Sequence, residues 1–331
     1  MKRKNENCHL IFGALGQDGS YLAEMLSAEG EQVIGVIRNS SVVPEKYPHQ
    51  KINYVKGNIL DSDFIYSLLE RFKPTHIYNM ASTSSVAESY INPELSLDIN
   101  LRFVQLLVNS IEIFRSKTGQ DIFLLQTSSS EMFGPTHIAP VNENTSHDPR
   151  SPYAEHKSIS HNFCIEARIT RDLKIGTAIL FNHESSRRPL KFVSRKITHG
   201  AFMISQGLEK KLILGDIRVR RDWGYAPDYV EAMKRIAMAK SASDYVIATG
   251  KLHSLQDMCR IAFEAVGLGN FEKYIDSDKS LFRKVENSGL VGLAEKMHLE
   301  FNWGPSLPFE EMIREMVHQE SLDTSNGTPS M

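Results

Sequence analysis

The chain is short of several things, and each shortage narrows what it can be. It has three cysteines, Cys8, Cys164 and Cys259, far apart and in no metal-ligand spacing. That pattern argues against a disulfide framework and a cysteine-bound metal, and predicts reduced thiols in a cytoplasmic protein with no metal. No apolar run approaches the ~20 residues a membrane span needs. The basic start, "MKRKNENCHLIFG", runs straight into a glycine turn, without the longer apolar stretch and small-residue cleavage site of a signal peptide. There is no like-charge block either. The 38 basic and 40 acidic residues are interspersed and leave a formal net charge of −2, which gives no reason to expect nucleic-acid or membrane binding. No internal repeat is present.

What the 331 residues do contain is a regular alternation. Short apolar runs read as strands at 9–12, 31–37, 52–55, 75–80, 121–126 and 175–181. Helical patterns fall near 20–29, 63–71, 94–116 and 152–170. Strands apolar on both sides and separated by helices predict an α/β fold with a doubly wound parallel sheet. After Phe181 the rhythm changes to an Arg-rich loop, a helix near 192–206 and short mixed elements. A first domain over 1–181 and a smaller, intertwined second domain over 182–320 are expected, with the run at 244–250 returning to the main sheet. The polar end, 321–331, is expected to be disordered.

Two motifs carry chemistry. In "IFGALGQDGSYLAEML", Gly13, Gly16 and Gly19 sit between a strand and a helix. Glycines there allow a tight turn and let backbone approach a pyrophosphate resting on the helix N-terminus, the Rossmann arrangement; a simple turn is the plainer alternative. The second strand ends in "VIRNSS", with Arg38, Ser40 and Ser41 where an NAD site carries an acid. Basic and hydroxyl groups suit a ribose 2′-phosphate and predict NADP, against the alternative of a solvated loop arginine. In "SPYAEHK", Pro152 opens a helix on which Tyr153 and Lys157 share one face. An ammonium beside a phenol favours the phenolate and makes tyrosine usable as a base.

With these motifs on one chain, the sequence resembles the extended short-chain dehydrogenase/reductase family. Within it, "GQDGSYLAEML", "SSSEMFG", "RSPYAEHK", "ILFNHESSRR", "FVSRKI" and "RDWGYAPDYVEAM" are similar to the GDP-mannose 4,6-dehydratases, from about residue 9 to 317. The resemblance implies catalytic roles for Ser129, Glu131, Tyr153 and Lys157. It assigns the proton of the sugar C4 hydroxyl to Tyr153 and that of C5 to Glu131, with hydride leaving C4 and returning to C6 through the nicotinamide. It implies cofactor contacts at Gly13, Gly16, Gln17 and Asp18 for the pyrophosphate, and at Arg38, Asn39, Ser40 and Ser41 for the adenosine phosphate end. Asn58 and Ile59 fall by the adenine, Met80 and Ser84 along the cofactor, and Lys157 contacts the cofactor as well. His183 and Arg188 close over it. Ser129, Asn182, Lys196, Arg221, Arg283 and Glu286 fall to the substrate, a nucleotide sugar linked to GDP. The resemblance also implies a homo-oligomer, a dimer or tetramer.

The chain departs from that pattern at several positions. Thr83 and Ser85 stand where the family carries Gln and His, Asn58 replaces an Asp, Asn39 an Arg, Lys284 a Pro, and Ser129 a Thr that it matches in its hydroxyl. The sugar pocket is therefore altered, and GDP-mannose, a GDP-linked heptose or another modified sugar remain open. An NADPH-dependent nucleotide-sugar reductase or epimerase, and a catalytically idle relative, are the alternatives to a dehydratase.

Overall fold

Apolar strands with both faces covered need helices on either side, and the chain supplies them in order. A computed structural model describes residues 7–43, 51–135, 140–282 and 289–325. The first half contains β1 (Cys8–Phe12), α1 (Gln17–Ala28), β2 (Gln32–Ile37), β3 (Ile52–Lys56), α2 (Ser62–Phe72) and β4 (His76–Asn79). Next come α3 (Val86–Ile91), α4 (Pro93–Leu97), α5 (Phe103–Thr118), β5 (Phe123–Ser129), α6 (Pro152–Thr170) and β6 (Ile175–Leu180). The remainder contains β7 (Asn182–Glu184), α7 (Val193–Ser205), β8 (Leu212–Leu214), β9 (Arg220–Tyr225), α8 (Ala226–Ala237), β10 (Asp244–Ile247), β11 (Leu252–Ser254), α9 (Leu255–Ala265), β12 (Ile275–Ser277), α10 (Glu295–Phe301) and α11 (Phe309–Ser325).

The main sheet has the order β10-β6-β5-β4-β1-β2-β3. Its paired strands run parallel, with His9 opposite His76 and Leu124 opposite Ile175. On one face Leu10, Phe12, Ile34, Val36, Ile77 and Leu124 pack with Leu68 and Leu69 of α2 and Leu107, Ile111 and Phe114 of α5. Their alternates, such as Ile11, Val33 and Tyr78, point to the other face and are buried as well. This is the doubly wound parallel architecture that the strand pattern predicts.

The chain divides into two compact units. One comprises the described residues of 1–134, 143–180 and 230–246; the other those of 135–142, 181–229 and 247–331. The second has its own core, in which Ile197, Ala201, Trp223, Met258, Phe263, Met312 and Met316 are buried. Its strands β7 and β9 pair in parallel, and β11 joins β9 antiparallel.

Two features differ from expectation. The helical stretch at 94–116 is divided: a π turn at Asp98–Arg102 separates α4 from α5. The polar end is helical through Ser325, five residues into the segment expected to be disordered. Met312, Ile313, Met316 and Val317 are buried, and Glu320 is buried against Arg195 and His199, so the helix is docked by its last turns.

Candidate active site

The glycine turn after β1 has the geometry its residues demand. Gly13 has φ +80°, and a Cβ there would sit 2.8 Å from the Ala81 nitrogen, against the backbone that leaves β4. Gly16 closes the turn through its N–H to the Gly13 carbonyl (2.9 Å) and begins α1 as an N-cap with no side chain to cap it. A helix start with no side-chain cap, beside a turn that begins and ends in glycine, fits a pyrophosphate. Gln17 is buried and donates from Nε2 to Asp18 Oδ1 (3.1 Å).

After β2, Arg38, Asn39 and Ser40 are exposed and Ser41 is half-buried, folded into a turn by the Ser41 N–H to the Arg38 carbonyl (2.9 Å). Residues 38–43 contain no acid. The exposed Asn58 uses its Oδ1 on the Leu60 N–H, and Ile59 packs against the core. Met80 is tied to β1 through its N–H to the Phe12 carbonyl; Ser84 is exposed.

Both departures beside Ser84 serve the protein's own structure. Thr83 Oγ1 accepts from Asn100 Nδ2 (2.8 Å), and Ser85 Oγ caps α3 by accepting from the Glu88 N–H (3.2 Å). Asn100 sits on the π turn, is buried, and also accepts from Ser82 Oγ.

Ser129 ends β5 in extended backbone, and its Oγ accepts from the Glu131 N–H (3.3 Å) as the chain turns into the 3-10 turn Ser130–Phe133. Glu131 is half-buried on that turn. Ser151 caps α6 by accepting from the Ala154 N–H, and Pro152 occupies its first turn. Tyr153 and Lys157 are both buried on α6, which packs against β5 and the Ser130–Phe133 turn. Lys157 Nζ donates to the Thr127 carbonyl (3.0 Å), and burial pushes its pKa down to about 8. The ammonium is still the main form at neutral pH, as a partner to a phenolate base requires.

Beneath these groups lies a polar layer that sequence patterns miss. Asn79 Nδ2 donates to Gln126 Oε1 (2.8 Å), Thr127 Oγ1 to the Asn79 carbonyl (2.9 Å) and Gln126 Nε2 to the Thr127 carbonyl (2.8 Å). The one sequence signal is amide and hydroxyl residues at the ends of apolar strands, in "IYN" and "FLLQTS".

In the second unit, Asn182 Nδ2 donates to the Asp222 carbonyl (3.4 Å). The His183 ring stacks on Tyr229 at 4.7 Å, with Nδ1 on the Phe181 carbonyl. The Arg188 guanidinium lies over Phe192 (3.7 Å), its Nε 3.2 Å from Glu184 Oε2 but outside hydrogen-bond geometry. Lys196 is half-buried in the first turn of α7. Arg221 is buried on β9, two residues before the Trp223 that pairs with Asn182, so these two substrate candidates share neighbouring strands. Arg283 and Glu286, with Lys284, lie outside the described residues. Asp222 accepts from the Thr249 and Gly250 N–H groups (2.9 Å each), from Thr249 Oγ1 and from the Gly292 N–H. Burial raises its carboxyl above the usual range despite those four bonds. It ties two loop segments, at Thr249–Gly250 and at Gly292, to β9, a role its place in "RDWG" does not reveal.

Among the described residues no helix is long and apolar enough to cross a membrane, and no group of three or more His, Cys, Asp or Glu is suited to hold a metal ion.

Solved structures with the same fold include a dTDP-glucose 4,6-dehydratase from Streptomyces venezuelae (TM-score 0.84, 18% identity, 97% of this chain and 98% of that one). A UDP-glucose 4-epimerase from Thermotoga maritima superposes with a TM-score of 0.83 at 20% identity, covering 95% and 99% of the two chains. Sequence relatives are nearer. GDP-mannose 4,6 dehydratase 1 of Arabidopsis thaliana is 36% identical over 326 residues, 94% of this chain and 89% of that protein. The GDP-mannose 4,6-dehydratase of Vibrio cholerae is 34% identical over 95% and 93%. The human GDP-mannose 4,6 dehydratase is 32% identical over 96% and 92%. Residues 10–316 match the sequence profile of GDP-mannose 4,6 dehydratase, a span that takes in the glycine turn, the Ser129–Glu131 turn and the Tyr153–Lys157 helix. With that span matched, the chain belongs to the GDP-mannose 4,6 dehydratase family.

Proposed function

We propose that this enzyme, a nucleotide-sugar 4,6-dehydratase, acts on a GDP-linked, mannose-like sugar with NADP and uses Ser129, Glu131, Tyr153 and Lys157 as its catalytic set. The observation that carries the reading is a base helix docked on an acid turn: α6, with Tyr153 and Lys157, packs on the end of β5 and the turn that holds Ser129 and Glu131. A reductase or epimerase has no use for a carboxylate there.

Tyr153 takes the proton of the C4 hydroxyl, with the Lys157 ammonium favouring its phenolate. Ser129 offers its hydroxyl to the C4 oxygen as that oxygen becomes a carbonyl. When bound, the nicotinamide supplies reversible hydride exchange, out of C4 and back to C6. The C4 ketone acidifies C5–H, so Glu131 removes that proton, which leaves with the C6 hydroxyl as water. C5 regains a proton in place of the one lost from the C4 oxygen, and the net change is loss of one water to a 4-keto-6-deoxy sugar.

The uncapped α1 and the Gly13 turn suit the dinucleotide's pyrophosphate, with Gln17 and Asp18 beside it. Arg38, Asn39, Ser40 and Ser41, with no acid among 38–43, suit a 2′-phosphate, while Asn58, Ile59, Met80 and Ser84 follow the cofactor by resemblance. His183 and Arg188 are assigned to closing over the cofactor, and Asn182, Lys196, Arg221, Arg283 and Glu286 to the substrate, on the same resemblance. Thr83 and Ser85, turned to structural bonds, support a sugar other than mannose itself, such as a heptose, as an equal candidate. Three buried thiols suit a reducing cytoplasm, and a dimer or tetramer follows from the resemblance.

The test is isotopic. Substrate deuterated at C4 should give product deuterated at C6 with no net consumption of cofactor; loss of the label to solvent, or stoichiometric use of NADPH, would reject the dehydratase. In parallel, stripped protein should bind NADPH more tightly than NADH, and Arg38→Ala should narrow that gap.

A further inference from the structure

Helix α6 carries a third buried residue on the stripe of its catalytic pair. His161 lies four residues past Lys157 and eight past Tyr153, on the same helix face. Its Nδ1 shares a 2.9 Å hydrogen bond with the Ser128 hydroxyl, and both residues are buried. The Ser128 hydroxyl also lies 3.7 Å from Met132 Sδ, so it is held from two sides. Burial holds the His161 pKa down to about 4, so the ring is neutral in the folded enzyme at neutral pH. His147 packs edge-on against it at 5.3 Å and is itself bonded to Ser158 of the same helix.

The place of this bond gives it weight. The pairing of β4 with β5 ends at Asn79 opposite Gln126, while β6 continues beside β5 to Ser129. Residues 127–129 therefore have a neighbouring strand on one side only, just where the chain must turn with Ser129 and Glu131 correctly aimed. Helix α6 supplies the missing support at two successive residues, Lys157 on the Thr127 carbonyl and His161 on the Ser128 side chain. Because side chains alternate along a strand, Ser128 points opposite to Ser129, so fixing one fixes the direction of the other.

We propose that His161 is a positioning residue of the dehydratase reaction: by holding the Ser128 hydroxyl it sets the turn carrying Ser129 and Glu131 against the helix carrying Tyr153 and Lys157. This rests on the catalytic set proposed above. Proton removal at C4 belongs to Tyr153 on α6 itself, with Ser129 only assisting, whereas removal at C5 belongs wholly to Glu131 on the turn. Loosening the bond should therefore slow elimination more than oxidation.

The experiment compares His161→Leu, His161→Asn and Ser128→Ala with the wild type, in single turnovers that follow 4-keto sugar, water loss and the absorbance of reduced cofactor. His161→Asn restores a hydrogen-bonding amide, donor and acceptor both, near the Nδ1 position; Ser128→Ala cuts the same bond from the other end and leaves no hydroxyl behind. His161→Leu and Ser128→Ala should each lower kcat about tenfold, the scale of a sub-ångström misplacement, with KM little changed and reduced cofactor accumulating. Their double variant should be no worse than either single, because one contact is lost in all three. His161→Asn should recover most of the rate. Cofactor titration and melting check that each variant is folded, and Ser128→Ala decides if His161→Leu is not. The proposal is overturned by a wild-type rate in Ser128→Ala, by equal losses in the Leu and Asn variants, or by a fall in rate without accumulation. A wild type that dehydrates no nucleotide sugar sinks the catalytic reading, and this one with it.

Discussion

At the scale of single residues, the two acids and bases of the proposed site can be separated by what each leaves undone. Tyr153→Phe keeps the ring and removes the phenol, so turnover should fall on the order of a hundredfold or more with no reduced cofactor formed. Glu131→Gln keeps size and hydrogen bonding but cannot accept a proton. Oxidation at C4 should proceed and then stall, with the absorbance of reduced cofactor persisting. Equal behaviour of the two variants would remove Glu131 from the C5 step. Lys157 makes a different point, because its burial costs stability. Its folded pKa is about 8 against 10.5 for the free side chain. Between those values the unfolded chain binds the extra proton, so stability rises with pH from about 8 to 10.5, and the full cost of the buried charge is present below 8. Lys157→Met should therefore be inactive yet more stable than the wild type at pH 7, by on the order of 3 kcal/mol before the lost Thr127 bond is counted. That advantage should vanish by pH 10.5. Urea denaturation at the two pH values reads it, and a Met variant less stable at pH 7 would show that the Thr127 bond outweighs the desolvation.

At the scale of elements, the alternation of apolar strands with helices made the main sheet legible, since each strand buried on both faces is a near-continuous apolar run. The turn glycines and the Tyr–Lys helix were legible for a related reason: each is a local pattern whose geometry follows from adjacent residues. What escaped was long-range. Nothing near Asn100 signals a π turn, because the helical periodicity runs on through it, yet that turn carries the amide that engages Thr83. The layer of Asn79, Gln126 and Thr127 joins strands 47 and 48 residues apart, and the Ser128–His161 bond spans 33. Helix α11 escaped similarly, through an ion pair between Arg195 and Glu320, 125 residues apart and both buried. Removing one member of such a pair strands the other. Glu320→Ala should destabilise the second unit by about 3–5 kcal/mol, and hydrogen exchange should show α7 and α11 losing protection together. A loss under about 1 kcal/mol would mean that the α11 core residues dock the helix alone.

At the scale of the whole molecule, stability in acid depends on particular buried groups as well as on the positive charge that builds up as the 40 acidic residues are protonated. His9 is fully buried on β1, stacked on His76 at 5.0 Å, and neither ring nitrogen has a hydrogen-bond partner among the described residues. The nearest carboxylate oxygen, on Glu31, is 3.7 Å away, too far to hold a proton on the ring. Burial, with His76 and Lys234 nearby, drives the His9 pKa down to about 3, and that of His161, facing Asp244, His147 and Arg168, lies at about 4. Both are lowered from 6.5, so between 6.5 and those values the unfolded chain binds protons that the folded chain refuses. Their contribution is therefore intact above pH 6.5 and is lost progressively as pH falls toward 4 and 3. Each such group costs about 1.4 kcal/mol per pH unit once the unfolded histidine is charged. Carboxylates such as Asp244, held below its usual range by Arg168 and Thr177, lose stability in acid as well, so the wild-type curve alone does not isolate the histidine. The difference between wild type and His9→Leu does. That difference should be constant above pH 7 and move in favour of the Leu variant by about 1.4 kcal/mol per unit between pH 6 and pH 4. Paired urea titrations across that range measure it. A pH-independent difference would mean that His9 charges inside the fold, with Glu31 or water reaching it.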